Sequence, residues 1–142
     1  MKKLVSVLVA MVFLICQTTS VGAYVESYGE HVDHDEGYIG YPTSIQFKFD
    51  NGISDDLNTA FATTWTSVSS GTSTYVSAEF LWERFDDSSS GSIYLADGHD
   101  GAVTVSPPSM AGIDGDYYSV SSYHAVTYNG GTYTNNLYTF VP

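Results

Sequence analysis

The densest group of potential metal ligands in this sequence is the run His31-Val32-Asp33-His34-Asp35-Glu36-Gly37. Imidazole and carboxylate groups suit zinc or another divalent transition metal, and three protein ligands leave one coordination position open. His31, Asp33, His34 and Asp35 are therefore candidate ligands. The run lies in a stretch without clear periodicity, so a solvated acidic arm is the alternative interpretation.

A second group of candidates alternates aspartate with glycine. Asp97 and Asp100 belong to the run Asp-Gly-His-Asp-Gly, and Asp114 and Asp116 to the run Gly-Ile-Asp-Gly-Asp. Loop carboxylates of this kind can bind calcium, which accepts oxygen ligands in flexible geometry. The twelve-residue EF-hand pattern is absent, and Asp-Gly pairs are also common in ordinary turns. Calcium and zinc are the candidate ions, with plain turns as the alternative.

Tyrosine suggests a different chemistry. The chain has 12 tyrosines, and rings on a solvated sheet face can contact neutral sugars. The candidate contact residues are Tyr118, Tyr123, Tyr128 and Tyr133, which follow one another along the last two predicted strands. Aromatic residues in strands also form cores, and core packing is the alternative for each of them.

Catalysis has weaker support. Glu79 and Glu83 flank Trp82 as a carboxylate pair typical of glycoside hydrolysis, but a chain with 16 Asp and Glu contains such pairs by chance. His124 alternates with Val120, Ser122 and Val126 in a long strand pattern, as a packed or exposed histidine does. The sequence has no H-E-x-x-H, no G-x-S-x-G and no phosphate-binding Gly-Lys loop. No catalytic residue is predicted.

One segment has the spacing of a helix. Ser54 can cap it, and two aspartates follow in the first turn, where the helix dipole favours negative charge. Leu57, Phe61 and Trp65 then recur at intervals of four, which places them on one face of a helix. The spacing predicts a helix at about 55–67.

The remaining periodicity is that of strands. Alternation of apolar and polar side chains predicts strands in the segments 44–49, 75–82, 93–95, 103–105, 117–128 and 132–141. Asn51-Gly52 predicts a turn after the first strand, and Asn129-Gly130-Gly131 predicts a hairpin between the last two. We expect a mainly β fold with one helix (α+β) built on an antiparallel sheet, with a β-sandwich as the alternative.

The N-terminus has the order of a secretory signal. Lys2 and Lys3 precede an apolar run, and small residues ending at Ala23 suit a signal peptidase. The predicted organisation is a signal peptide at 1–23, an irregular acidic arm at 24–43, and one antiparallel β-rich domain at 44–142. Cys16, the only cysteine, would leave with the signal, so no disulfide is expected in the secreted protein.

Charge limits the choice of partners. Without Lys2 and Lys3, two basic residues remain against 16 acidic ones, which gives a net charge of −14. Nucleic acids and anionic membranes are poor partners for such a chain, because phosphate binding needs clustered Lys and Arg. Divalent cations and neutral glycans are compatible with this charge.

Part of the chain resembles a known family. Ser44-Ile45-Gln46-Phe47-Lys48-Phe49, followed by Ser54-Asp55-Asp56-Leu57, Ala60 and Trp65, resembles the opening of the matrixin-type zinc metalloproteases. In that family a strand leads to a long helix and a second strand, which the resemblance places at 74–82. The segment 122–129 is similar to the strand before the catalytic helix. The zinc-binding H-E-x-x-H helix is missing, so the resemblance implies a truncated or repurposed relative without protease activity.

The sequence therefore favours a secreted, acidic, non-enzymatic domain that binds a glycan or a divalent cation outside the cell or at its wall. A degenerate matrixin-like protein is the alternative, and a calcium-stabilised structural protein is a third hypothesis. All three place the protein in the extracellular space.

Overall fold

The computed structural model describes residues 31–142, and nearly all of its regular structure is β. The one 3-10 turn within residues 31–142, Ala111–Ile113, lies between the sixth and seventh strands. The strands are β1 His31–Ile39, β2 Ile45–Ile53, β3 Ala60–Thr66, β4 Thr72–Arg84, β5 Ser90–His99, β6 Ala102–Val105, β7 Gly115–Tyr128 and β8 Gly131–Phe140.

The strands form two antiparallel sheets. The first sheet has the order β1-β2-β3-β6, and the second has the order β5-β4-β7-β8. Their inner faces pack on each other, because side chains of both sheets fill a common apolar core. The central strand pair of the second sheet is β4 and β7, and β5 and β8 lie at its edges.

The core consists of two neighbouring clusters. One is centred on Phe80, Val120 and Tyr117, and the other on Phe47, Phe49 and Val126. All six side chains are buried. Burial of these large groups is the main stabilising contribution that the described residues offer, at roughly 1.5–3 kcal/mol for each large apolar side chain.

The predicted helix at 55–67 is wrong. Residues 60–66 form β3, and Leu57 adopts a left-handed conformation (φ 58°) in a turn that Ser54 and Asp56 hold by a hydroxyl–carboxylate hydrogen bond of 2.5 Å. An interval of four residues fits a helix, but it also fits a strand, where every second residue shares a face. The β-branched threonines between the aromatic residues favour the strand.

Two further expectations on the first sheet are corrected. Residues 31–39 form β1, although the sequence predicts an irregular arm over 24–43. The rest of that arm before residue 31, and the predicted signal at 1–23, lie outside the described residues. Asn51 and Gly52 continue β2 where a turn was expected. Gly52 is needed there because a Cβ atom would lie 2.8 Å from the ring of Phe61 on β3.

The predicted β7–β8 hairpin is present. Asn129 (φ 46°) and Gly130 (φ 79°) both adopt the left-handed backbone that tight hairpin turns require. The predicted strands at 93–95 and 103–105 also exist, but they belong to different sheets, since β5 pairs with β4 and β6 with β3. Over residues 31–142, no helix has the length and apolar character needed to cross a membrane.

Candidate functional site

The four candidate ligands on β1 are distributed over its two faces. A strand points successive side chains in opposite directions, so His31, Asp33 and Asp35 lie on one side and His34 on the other. Proximity in the sequence therefore does not bring their ligand atoms to one point.

His34 is engaged with an acidic neighbour on the next strand. Its Nδ1 lies 2.6 Å from Oδ1 of Asp50, its cross-strand partner, and its Nε2 lies 3.6 Å from Glu36. The Asp50 carboxylate is almost fully buried, whereas the imidazole is half-exposed. The pair is one carboxylate and one imidazole, fewer ligands than a structural zinc site uses.

The carboxylates of Asp33 and Asp35 accept hydrogen bonds from residues of the second sheet. Asp33 accepts a hydrogen bond from the backbone N–H of Tyr138 at 2.7 Å. Asp35 accepts from the Tyr133 hydroxyl at 3.0 Å and from the Asn135 amide at 2.8 Å. These contacts join β1 of the first sheet to β8 of the second.

The two Asp-Gly runs lie near opposite ends of the second sheet. Asp97 pairs with Val76 and Asp116 with Glu83, seven residues further along β4, which corresponds to roughly 23 Å. Asp97 and Asp100 are exposed. They therefore cannot share an ion with Asp114 and Asp116.

Asp116 is surrounded by other acids. Partial burial raises the pKa of its carboxyl, and the charges of Glu83, Asp56 and Asp114 raise this pKa further. Even so, the part of the chain from 31 to 142 brings together no group of three or more His, Cys, Asp and Glu that could hold a metal ion. The geometry gives neither Asp-Gly run a ligand set.

Of the four candidate tyrosines, Tyr123 lies on an outer sheet face. Tyr128 packs against the core, and Tyr118 is half-buried in an irregular part of β7 opposite Leu81 and Trp82. Tyr133 stacks on Phe47 and Phe49, and its hydrogen bond to the Asp35 carboxylate raises the pKa of its hydroxyl. Tyr118 and Tyr128 act mainly in packing, whereas Tyr133 is 40% exposed but contacts core rings and not the outer sheet face.

Tyr123 belongs to a larger aromatic surface on the outer face of the second sheet. Four successive rows of residues cross all four strands of this sheet, and five of these sixteen residues are aromatic. We call this surface the aromatic face; its rings are Tyr75, Tyr94, Tyr123, Tyr138 and Phe140, and all five are exposed. Tyr75 and Tyr123 contact each other, with ring centroids 6.2 Å apart.

Most side chains between these rings are small and uncharged. The rings protrude above their neighbours because the side chains around them are short, namely those of Ser77, Ala96, Ser121 and Ala125. Glu79 is the one charged residue in the four rows, and it lies between Tyr94 and Ser121. The aromatic face is therefore a shallow, nearly neutral platform on a strongly acidic molecule.

The outward positions of Tyr75 and Tyr138, which are not among the candidate contact residues, follow from the strand pattern of the sequence. Tyr75 shares a strand face with Ser77 and Glu79, and Tyr138 is flanked by the buried residues Leu137 and Thr139. A tyrosine that alternates with core residues must point outward. Strand alternation alone thus separates these tyrosines from Tyr128, which shares its face with buried Val126.

A polar network is buried directly behind the aromatic face. His124 is fully buried on β7, stacks on Phe49 with 5.0 Å between ring centroids, and hydrogen-bonds to Thr64 and Ser122. Desolvation lowers the pKa of its imidazole from 6.5 to about 4, against the opposing effect of Asp35 and Asp33. His124 is therefore neutral at neutral pH.

The chain matches no protein-family model, and no curated protein or solved structure is significantly similar to it.

Proposed function

We propose that this chain is a secreted, non-enzymatic binding module whose aromatic face holds an uncharged glycan. The observation that carries the proposal is the exposure of five aromatic side chains on one sheet face with small residues between them. A contiguous exposed apolar surface on a soluble domain is costly unless it serves binding.

The shape of the face favours an extended chain over a single sugar. Tyr94 and Tyr138 lie in the same row on the two edge strands, three strand spacings or roughly 14 Å apart. A row of this length exceeds one sugar ring. The rings would stack on the apolar faces of successive sugars, while Glu79 and Ser121 between them offer hydrogen-bonding groups.

Electrostatics support an uncharged ligand. The four rows contain no lysine or arginine, and the whole chain carries a formal net charge of −12. Anionic polymers would meet long-range repulsion and find no basic partner on this surface. A neutral polysaccharide meets neither obstacle.

The proposal is tested by binding to insoluble and soluble polysaccharides. We expect the secreted protein to bind an uncharged polymer, cellulose or chitin, and not anionic alginate. Tyr94→Ala and Tyr138→Ala should each weaken binding about threefold to tenfold, because a stacked ring contributes roughly 0.5–1.5 kcal/mol.

Tyr38→Ala is the matched control. Tyr38 is 75% exposed, compared with 65% for Tyr94, but it lies on β1 in the other sheet. We expect this variant to bind as the wild type does. Equal loss of affinity in Tyr38→Ala, or no binding of the wild type to any uncharged polymer, would contradict the proposal.

A further inference from the structure

A chain of hydrogen bonds crosses the core behind the aromatic face. The Thr139 hydroxyl bonds to Oδ1 of Asn51 at 2.7 Å, and Nδ2 of Asn51 bonds to the Ser122 hydroxyl at 2.7 Å. Ser122 lies 2.7 Å from Nε2 of His124, whose Nδ1 lies 2.9 Å from the hydroxyl of Thr64. All five residues are buried.

The hydrogen bond that Thr64 donates, at one end of this network, fixes the position of every proton in the network. Thr64 donates its single hydroxyl proton to the backbone carbonyl of Tyr75 at 2.9 Å, so its oxygen must accept from Nδ1–H of His124. Nε2 of His124 then accepts the proton of Ser122, and Ser122 accepts from Asn51. The network is complete only when the imidazole is neutral and carries its proton on Nδ1.

The same network supports two rings of the aromatic face. Tyr123 lies between Ser122 and His124 in β7, so its neighbours on both sides are anchored in the core. The carbonyl of Tyr75 is the acceptor that ends the chain. Tyr75 and Tyr123 are also the two rings of the face that contact each other.

A second proton on His124 would disrupt this arrangement. Nε2 would become a donor, and the Ser122 hydroxyl, which already accepts from Asn51, would lose the acceptor for its own proton. The ionisable groups near the ring are Asp33 and Asp35 of β1, together with Tyr133 of β8, which bonds to Asp35 and packs on Phe49. None of them hydrogen-bonds to the imidazole.

The direction in which pH changes the folding stability follows from the pKa of His124 in the folded and the unfolded protein. The folded imidazole has a pKa of about 4, below the value of 6.5 from which it is displaced. Between these values the unfolded chain binds more protons, so the contribution of His124 to stability is complete above about pH 6.5 and is lost as the pH falls towards 4.

We propose that His124 is a positioning residue of the aromatic face, and that protonation of its imidazole displaces Tyr75 and Tyr123 and releases the bound glycan. This inference rests on the proposed function for its ligand. The positioning itself can be measured without any ligand.

The ligand-free test is NMR spectroscopy of the wild-type protein between pH 7 and pH 3, at a protein concentration at which light scattering shows no association. The imidazole nitrogen shifts should report the Nδ1–H tautomer at neutral pH. Ring and amide signals of Tyr75 and Tyr123 should change with the same midpoint as His124, whereas those of Tyr38 should not. The proposal would be overturned by an Nε2–H tautomer, or by Tyr75 and Tyr123 signals that do not change as His124 is protonated.

The ligand test measures retention on an uncharged polysaccharide over the same pH range. Wild type should lose affinity at least tenfold on acidification, and His124→Gln, which keeps a donor and an acceptor but cannot take up a proton, should lose less than twofold. Ser122→Ala removes the donor to Nε2 and should move the acid midpoint to higher pH. Glu79→Gln should keep the wild-type midpoint, which separates His124 from the carboxylate on the face itself.

The outcomes separate this inference from the function on which it rests. Glycan binding with the same acid transition in His124→Gln and wild type would reject the role of His124 and leave the binding module intact. Coupled Tyr75 and Tyr123 signals in a protein that binds no polysaccharide would support the positioning role and reject the glycan function.

Discussion

Asn51 illustrates how much one side chain can contribute inside this fold. Its carboxamide is fully buried between the sheets, where it accepts from Thr139 and donates to Ser122. A buried polar group that loses its partner costs about 1–3 kcal/mol. Without the Asn51 side chain, Ser122 and Thr139 would each lose one buried hydrogen bond.

Replacing Asn51 should therefore destabilise the protein strongly. We expect Asn51→Leu to lower the free energy of unfolding by about 2–4 kcal/mol, because Ser122 and Thr139 each lose a partner without access to water. Urea denaturation followed by tryptophan fluorescence measures the change. Thr127→Val removes an exposed hydroxyl that bonds to Thr132, and it should change stability by less than about 0.5 kcal/mol.

The positions of single residues can be predicted from the sequence only in part. The outward position of Tyr123 follows from alternation, but Asn51-Gly52 has the composition of a turn and is nevertheless a strand. The difference arises from distant residues: Ser122 and Thr139 bind the Asn51 amide, and the Phe61 ring occupies the space above Gly52. Local composition carries no information about such partners.

At the scale of elements, β1 and β8 are connected by side chains. They belong to different sheets, yet Asp33 accepts the N–H of Tyr138, a backbone group on the edge strand β8. A carboxylate in this position blocks the edge against another strand. Asp35 adds two further contacts through Tyr133 and Asn135.

Removal of this contact should be visible at one amide. In Asp33→Ala, hydrogen exchange of the Tyr138 N–H should become about tenfold faster or more, since a hydrogen bond to a charged group contributes roughly 1.5–3 kcal/mol. NMR-detected exchange measures it residue by residue. Asp97→Ala is the control, because Asp97 is exposed and accepts only from the N–H of the next residue; an equal acceleration at Tyr138 in this variant would contradict the interpretation.

The elements could be predicted from the sequence where one face is apolar and the other polar. The β2 pattern at 44–49 and the β7–β8 hairpin are of this kind. The segment of β3 was predicted as a helix because side chains four residues apart share a face in a helix and also in a strand. Strand β1 carries polar side chains on both faces, since its acids bind β8 and Asp50 binds its histidine, and it consequently has no hydrophobic period to detect.

At the scale of the whole molecule, charge is the dominant property. The chain has a net charge of −12 and an isoelectric point of about 4.2. Repulsion of this size keeps molecules apart at neutral pH. The aromatic face can therefore remain exposed without causing self-association.

The unprotected edge of the second sheet gives this repulsion a particular importance. Strand β5 is hydrogen-bonded to β4 alone among the described strands, and its ten residues contain no Lys, Arg or Pro to deter a further strand. We expect the protein to polymerise into ribbons near its isoelectric point, which is about 4.2 for the full chain, because like molecules no longer repel there; dynamic light scattering is the measurement. Ser92→Lys on β5 should suppress growth, whereas Thr132→Lys on β8 should suppress it less. The negative charge of the whole surface would then prevent the addition of further strands, which most sheet proteins prevent by residues on the edge strand itself. This protection is lost in acid.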